Sequence, residues 1–408
     1  MRSFSLTCLL LASLTWAVLG MSAKSAGAQT LTVVHNFTGG GDGGAPYAGL
    51  TQDSHGNLYG TTYYGGSGNG NVYRLQYKNN SWMLIPLYTF QSQADGYNAG
   101  PVVVGPNGSL YGSTPWGGTQ TCGCGTLYNL RPSPTRSASV FGGWNKQSLW
   151  NFNGVSDGYS PWGNLTFADA NHFYGTTQSG GPDSGGTVFQ MTYSGGSWNY
   201  SNIYAFNPSG GGYNPYGGVV KDATGNLYGT TAYGGNNDDG TVYQLVYTGS
   251  GWTKNILYSF QDGSDGENPR TGLTMDQSGN LYGSSGSGGL NNLGVVFQLS
   301  PAGNGSWTFS VLYSFDAGSH GAGGNLLVDN AGNLYGVTPT GGSVHGGSVF
   351  KLSRNGSSWT YTDLHDFRGG DGAGPSGNLV LAPNGDLYGT TSGGGAYSNG
   401  NVWQLSMQ

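Results

Sequence analysis

Short apolar or alternating segments recur along the chain, each bounded by turn-forming residues. One copy runs through residues 272–276, a turn at 277–280, residues 281–285, a glycine-rich loop, and residues 295–299. Short segments of this kind between Gly, Asn, Asp and Ser clusters are typical of β-strands rather than of helices. The pattern therefore predicts an all-β protein made of repeated antiparallel strands.

A fourth segment of each copy carries a tryptophan that precedes a phenylalanine by eight residues. Because eight is even, a regular strand would place both rings on one face. Between Trp307 and Phe315 that face carries Phe309, Val311 and Tyr313, an unbroken apolar row. Such rows favour core packing between copies over ligand binding. The six pairs are Trp82 with Phe90, Trp144 with Phe152, Trp198 with Phe206, Trp252 with Phe260, Trp307 with Phe315, and Trp359 with Phe367.

The heptapeptide Gly-Asn-Leu-Tyr-Gly-Thr-Thr, or a close variant, occurs seven times at separations of 52 to 63 residues. A period near 53 residues with four strands per copy predicts a seven-bladed β-propeller. Residues 31–37 match the fourth strand, whereas residues 401–405 match the third strand of a last copy that lacks a fourth. We therefore expect the N-terminal strand to pair in the last blade and close the ring, which removes two exposed sheet edges. The motif tyrosines are Tyr59, Tyr111, Tyr174, Tyr228, Tyr282, Tyr335 and Tyr388.

The first 28 residues predict an export signal. Arg2 precedes an apolar stretch at 6–19, and Ala26-Gly27-Ala28 is a small-residue cleavage site. No later segment is apolar enough to span a bilayer. We expect residues 1–28 to be a signal peptide and 29–408 one propeller domain, secreted or extracytoplasmic (periplasmic or extracellular).

Composition excludes some functions. Aromatic residues make up 13% of the chain and charged residues 8%, which favours a packed β structure over disorder. Without Arg2 and Lys24 of the signal, 11 Lys and Arg stand against 19 Asp and Glu, a net charge of −8. Nucleic-acid binding needs a basic face, so we expect no nucleic-acid partner. We also expect a monomer, without a cofactor and without a metal.

The repeat resembles the GloVer (choice-of-anchor) tandem-repeat family of bacterial secreted and surface proteins. The family pattern is Asp-Gly-x-x-Pro, then Gly-Leu-x-x-Asp-x-x-Gly-Asn-Leu-Tyr-Gly-Thr-Thr, then Gly-Gly and Gly-Thr-Val-Phe-x-Leu, and residues 265–299 match it. The Asp-x-x-Gly-Asn-Leu-Tyr hairpin is also similar to the NHL-type propeller repeat. The resemblance implies a secreted repeat protein and implies no activity.

Strand alternation divides the loops between two faces. The turn face carries the Asp-x-x-Gly turns, and the loop face carries the Asp-Gly loops that enter each blade and the Gly-Gly loops that follow each Tyr-Gly motif. The loops of the second face are longer and more varied, which is typical of functional surfaces. Its recurring aspartates either form a ring of carboxylates for cations or sugar hydroxyls, or cap their own turns. They are Asp42, Asp95, Asp157, Asp265 and Asp371.

Aromatic residues of the loop face vary between blades. Tyr64, Trp116 and Tyr233 occupy one loop position in blades 1, 2 and 4, immediately before a Gly-Gly pair. Exposed rings there would form an asymmetric surface for stacking on sugars, whereas partial burial between blades is the alternative. Other aromatic residues of this face are Tyr47, Tyr159, Trp162 and Tyr213.

Candidate catalytic residues are few. Glu267 is the one glutamate, and His320 and His345 with Asp316 form a weak metal-binding pattern. Cys122 and Cys124 could form a disulfide in an oxidising compartment. We therefore predict no catalytic residues and a secreted scaffold that acts as a binding or structural module, with polysaccharide or cell-envelope surfaces as ligands. The alternative is an extracellular enzyme acting on glycans or lactones at the loop face.

Overall fold

The computed structural model describes residues 29–133, 143–261, 263–316, 321, 323–356 and 358–407. The predicted signal peptide, residues 1–28, lies outside them. No helix within the described ranges has the length and apolar character needed to cross a bilayer.

Over the described residues the chain forms 28 strands and one 3-10 helix, Gln93–Asp95. The N-terminal strand and blades 1 to 3 comprise β1 Thr30–Asn36; β2 Leu50–Gln52, β3 Leu58–Thr61, β4 Asn71–Lys78, β5 Ser81–Thr89; β6 Val102–Val104, β7 Leu110–Thr114, β8 Thr126–Pro132, β9 Trp144–Asn151; β10 Thr166–Asp169, β11 His172–Thr177, β12 Thr187–Ser194 and β13 Ser197–Ala205. Blades 4 to 7 comprise β14 Val220–Lys221, β15 Leu227–Thr231, β16 Thr241–Tyr247, β17 Trp252–Ser259; β18 Thr274–Met275, β19 Leu281–Ser284, β20 Val295–Pro301, β21 Trp307–Ser314; β22 Leu327–Val328, β23 Leu334–Thr338, β24 Ser348–Asn355, β25 Ser358–Asp366; β26 Ala373–Leu381, β27 Leu387–Gly393 and β28 Asn401–Ser406.

These strands form seven four-stranded antiparallel sheets, one for each repeat, which confirms the predicted seven-bladed propeller. The first strands of six blades line a central channel. The fourth strand of each blade is therefore the outermost.

The N-terminal strand closes the ring, as the sequence predicts. β1 pairs antiparallel with β28, from Thr30 opposite Ser406 to Asn36 opposite Asn401, and completes blade 7 as its outer strand. Phe37, which follows β1, is fully buried, and its backbone N–H donates to the Gly400 carbonyl at 3.0 Å. Blade 7 is thus built from both ends of the described chain.

A β-bulge corrects the prediction that the paired Trp and Phe rings share one face. In blade 5 Phe309 stacks on Tyr258 of blade 4 with ring centroids 3.8 Å apart, whereas Tyr313 stacks on Tyr361 of blade 6 at 4.3 Å. One extra residue between them reverses the alternation, so that Trp307 and Phe315 lie on opposite faces of the blade. Every outer strand contains the bulge, at Val34, Leu87, Leu149, Ile203, Leu257, Leu312 and Leu364.

The hydrophobic core lies between neighbouring blades, as the sequence predicts. The phenylalanine that ends each outer strand is fully buried against the next blade, as Phe260 is against Phe297 at 5.3 Å. The tryptophan packs in the other direction, on the motif tyrosine of the preceding blade, as Trp252 does on Tyr174 at 6.1 Å. Trp144 is buried, and the other five tryptophans are partly buried.

The Asp-x-x-Gly turns of the turn face are held by one carboxylate each. Asp222 accepts bonds from the backbone N–H groups of Thr224 and Asn226 on one oxygen. Its other oxygen accepts from the Asn226 amide at 2.8 Å and the Tyr228 hydroxyl at 3.0 Å. The same four-bond arrangement recurs in three other blades. The repeated Asp, Asn and Tyr are therefore one structural unit.

These bonds predict a loss of stability in acid. Burial raises the pKa of Asp222, but its hydrogen bonds outweigh burial and hold the pKa below 3.8. The carboxylate therefore stabilises the fold above the pKa of the unfolded chain, and this contribution disappears as the pH falls through the lower folded value. We expect the melting temperature to fall below about pH 4, and Asp222→Asn to lower it at neutral pH and flatten its dependence on pH.

The exposed Asp183 provides the control for this measurement. Asp183→Asn removes an exposed carboxylate outside these turns and should keep the wild-type melting temperature at neutral pH. An unchanged slope in Asp222→Asn would contradict the assignment of the turn carboxylates as stabilising groups.

Candidate functional site

The repeated motif positions the loops of the loop face. The side chain at the first Thr position of a Tyr-Gly-Thr-Thr motif donates to a backbone carbonyl in the entry loop of the next blade, as Thr230 Oγ1 does to the Thr271 carbonyl at 2.9 Å. Because that bond crosses between blades, each blade fixes the loop beside it. The other bonds of this kind link Thr61 to Ala99 and Gly100, Ser113 to Pro161, Thr176 to Gly217 and Thr390 to Pro46.

The predicted site aspartates lie at the ends of the entry loops and bond to their own loops. Asp265 accepts from the Gln261 backbone N–H at 3.0 Å and from the Tyr258 hydroxyl at 2.6 Å. Asp95 also pairs with the buried Lys146 ammonium at 2.6 Å. Each of the other four likewise accepts from a backbone N–H three or four residues earlier and from an outer-strand ring. The donors are Thr38 and His35 for Asp42, Gln91 and Tyr88 for Asp95, Asn153 and Trp150 for Asp157, and Arg368 and His365 for Asp371. This geometry gives the five carboxylates a local structural role, and ligand binding by them stays a prediction.

The predicted aromatic residues lie where the two kinds of loop meet at the rim of the loop face. Trp116 pairs through its backbone with Tyr97, Tyr64 with Gly44, and Tyr233 with Tyr213. Trp116 and Tyr64 are 39% and 37% exposed, and Tyr233 is partly buried. None of the three is enclosed between blades.

The paired rim positions carry aromatic residues in four consecutive blades. In blade 5 the same positions hold Glu267 and Ser287, and in blade 7 they hold Ala373 and Gly393. We name the six rim rings the aromatic arc; they are Tyr64, Tyr97, Trp116, Tyr159, Tyr213 and Tyr233. The arc makes the loop face asymmetric, although the ring of blades is regular.

A central pocket of about 190 Å³ opens where the channel meets the loop face. Tyr47, Trp162, Tyr216 and Arg270 line it, and each follows the proline of an entry loop. Tyr63 also lines it, with its ring 5.5 Å from that of Tyr47. The pocket therefore combines aromatic rings with one guanidinium.

Asparagine side chains form the floor of this pocket. Asn164 of blade 3 and Asn378 of blade 7 exchange two amide hydrogen bonds of 2.9 and 3.3 Å across the channel. Asn325 accepts from the Gly272 backbone N–H at 2.7 Å. All three border both the pocket and the channel below it. The two asparagine side chains thus span the channel and separate the pocket from the channel below.

Arg270 links the pocket to the aromatic arc. Its guanidinium donates to the Tyr233 hydroxyl at 3.0 Å and lies 6.0 Å from the centre of the same ring. The neighbouring Thr271 is fixed by Thr230 through the interblade bond described above. Tyr233, predicted as a sugar-stacking ring, is therefore also a support for Arg270.

The other candidate residues do not converge on one centre. Cys122 and Cys124 form a disulfide in the glycine loop of blade 2. His320 lies outside the described residues, so the pattern with His345 and Asp316 stays untested. Within the described ranges, no three His, Cys, Asp or Glu side chains lie close enough to hold a metal ion.

The sequence did not predict the central pocket as a site. Tyr47 and Trp162 were predicted only as aromatic residues of the loop face. The signal that locates the pocket residues is the Asp-Gly-x-x-Pro frame of the entry loops, because Tyr47, Trp162, Tyr216 and Arg270 each follow its proline position and line the pocket. Across the seven blades this position holds Tyr47, Gly100, Trp162, Tyr216, Arg270, Gly323 and Ser376.

Two solved structures show the same fold. The extracellular domain of a candidate one component system from B. thetaiotaomicron is 11% identical with a TM-score of 0.56, and the match covers 93% of this chain and 40% of that one. This chain thus spans less than half of that chain's length. A candidate 6-phosphogluconolactonase from Bacteroides fragilis is 14% identical with a TM-score of 0.53, over 85% of this chain and 87% of that one. At these identities the likeness concerns the fold alone.

Sequence comparison gives the family. No curated protein sequence matches this chain. The model of the Gloeobacter/Verrucomicrobia repeat matches residues 141–284 and 247–408, which together span more than half of the chain. The chain therefore belongs to the Gloeobacter/Verrucomicrobia repeat family, as its repeat motif predicts.

Proposed function

We propose that this protein is a secreted, monomeric binding module for polysaccharide, and that the aromatic arc is its binding surface. The signal-like first 28 residues support export, and the extracellular placement of one propeller of similar fold agrees with it. The observation that carries the proposal is that, among the described residues, the paired rim positions hold aromatic rings in four consecutive blades only.

The chemistry of the arc suits sugars. Aromatic faces stack on the C–H faces of sugar rings, while amides and hydroxyls bond to sugar hydroxyls. The arc supplies both kinds of group, since the Tyr64 hydroxyl bonds to the Asn399 amide at 2.8 Å and the Tyr213 hydroxyl faces Asp238 at 3.5 Å. Glycine loops set between interblade bonds hold these rings in place, so little side-chain freedom is lost on binding.

The shape of the arc favours an extended chain. Four neighbouring blades present rings along one part of the rim, which offers several stacking positions in a row. A polymer can use them together, and the combined contacts raise the affinity above that of any one position. A cell-envelope or extracellular polysaccharide is a ligand of this form.

Trp116→Ala tests the proposal. Trp116 is the largest ring of the arc, and its truncation should weaken polysaccharide binding by about 1–3 kcal/mol, a typical cost for an aromatic anchor. Because the ring is 39% exposed, the melting temperature should change little. A glycan array identifies the ligand, and titration calorimetry gives the affinities of the wild type and the variant.

Tyr247→Ala is the matched control, because Tyr247 is 58% exposed on the opposite, turn face. The Tyr247→Ala variant should bind the polysaccharide with the affinity of the wild type. Absence of binding to every polysaccharide on the array would refute the proposal. Turnover of a bound glycan or of a lactone would instead support the enzymatic alternative.

A further inference from the structure

Arg270 is the one charged side chain among the described residues that line the central pocket. The ion pairs of the described ranges involve His35, Lys146, His172 and His365 as the basic partners, and none includes Arg270. A ligand that fills the pocket would cover this guanidinium. Covering a charge is unfavourable unless a partner of opposite charge replaces the lost water. The pocket therefore favours an anionic ligand over a neutral one.

Two contacts with Tyr233 support the exposed Arg270 side chain before a ligand arrives. Pro269 precedes it, the Tyr233 hydroxyl accepts one of its N–H groups at 3.0 Å, and the Tyr233 ring lies beneath its guanidinium at 6.0 Å. Its remaining N–H donors keep the planar fork that matches a carboxylate. A group held in this way loses little freedom on pairing, which strengthens the pair.

The pocket also has the size and the lining for a sugar ring. Its volume of about 190 Å³ exceeds that of an engineered cavity of about 150 Å³ that binds benzene. Tyr47, Trp162 and Tyr216 line its wall, and Asn164 and Asn378 supply amide groups at its floor. A six-membered sugar ring would thus meet aromatic residues at the side and hydrogen-bonding groups below.

We propose that the central pocket binds a uronic acid residue of an acidic polysaccharide, with its carboxylate paired to Arg270. The inference rests on the proposed polysaccharide binding and names the class of sugar that the pocket selects. The polymer would lie along the aromatic arc, and Tyr233 would support Arg270 at the point where arc and pocket meet.

The net negative charge of the chain does not prevent this pairing. Charges separated by more than about 10 Å are screened at 0.1 M salt. The five loop-face aspartates are bonded within their own loops. The attraction therefore depends on local contact with Arg270.

The experiment compares matched ligands at 0.1 M salt. Trimers of galacturonate, of alginate and of hyaluronate are titrated into the protein beside their carboxyl-reduced forms. A charge-assisted pair should make at least one uronate ligand bind about 10- to 100-fold more tightly than its reduced form. Arg270→Gln should abolish this preference while the reduced ligand keeps its wild-type affinity. Tyr233→Phe, which removes the hydroxyl and keeps the ring, should lower only the uronate affinity, by a few-fold.

Arg354→Gln is the matched control, because Arg354 lies at the hairpin of the turn face, where it donates to the Gly356 carbonyl. It should keep the full uronate preference. Equal affinity for charged and reduced ligands throughout, or no binding to any of these trimers, would overturn the inference, whereas polysaccharide binding itself is decided by the glycan array. A preference for the charged ligand that survives in Arg270→Gln would also overturn it.

Discussion

Removal of residues 29–37 should lower the free energy of unfolding by about 3–6 kcal/mol, the contribution of burying a few large side chains. The deletion removes the fully buried Phe37 and the partly buried Leu31 and Val34, which pack in the cores on the two sides of blade 7. It also leaves β28 as an unpaired edge, which invites association between molecules. Urea unfolding and light scattering measure the two effects.

Addition of residues 29–38 as a free peptide should restore much of the lost stability, because binding to the folded state stabilises it by mass action. A peptide of the same composition in scrambled order is the control. If the deletion is too unstable to purify, Phe37→Ala provides a milder variant, with an expected loss of about 3–5 kcal/mol. A deletion variant that unfolds at the wild-type urea concentration would contradict the role of β1 in closure.

Trp144→Ala should also destabilise the fold strongly, by about 3–5 kcal/mol. Trp144 is 6% exposed and packs against Tyr59 of blade 1 with ring centroids 6.5 Å apart. Its loss would leave a cavity between blades 1 and 2. Trp252 occupies the same repeat position but is only partly buried, so Trp252→Ala should cost less, about 1–3 kcal/mol.

The comparison of the two tryptophans is itself the test. Both variants are measured by urea unfolding beside Leu290→Ala, whose side chain is 79% exposed and should change stability by less than about 0.5 kcal/mol. Equal losses for Trp144 and Trp252 would show that burial does not set the contribution of these rings.

The architecture was predictable because each repeat forms its turns through contacts between residues close in sequence. Asp222, Asn226 and Tyr228 make their bonds within seven consecutive residues, so the hairpin can be read from one copy. Closure followed from counting strands at the two ends. The bulge could not be predicted from the sequence, because every copy contains the extra residue. No copy therefore differs in length from the others in a way that would reveal it. Simple alternation therefore placed Trp307 and Phe315 on one face, although the structure places them on opposite faces.

The candidate site was less predictable because its contacts join distant parts of the chain. Asn164 and Asn378 are 214 residues apart and meet only when the ring closes. Arg270 and Tyr233 belong to different blades, and neither residue type recurs at its position in every repeat. Three of the six rim rings, Tyr64, Trp116 and Tyr233, were predicted because they share an offset from the Tyr-Gly motif. Tyr159 and Tyr213 were named without that offset, and Tyr97 was missed.

The pocket residues Tyr47, Trp162, Tyr216 and Arg270 each follow the entry-loop proline. That shared position predicts a pocket only once the structure shows that it lies next to the central axis.

The pairing of β1 with β28 fixes how the propeller can be displayed. Thr30 lies opposite Ser406, so the two ends of the ring emerge side by side at the edge of the turn face. The aromatic arc and the central pocket open on the other side of the disc. A tether, a fused domain or a solid support joined near Thr30 or Ser406 would therefore attach on the turn-face side of the propeller. The proposed binding surface on the loop face would then point away from the attachment.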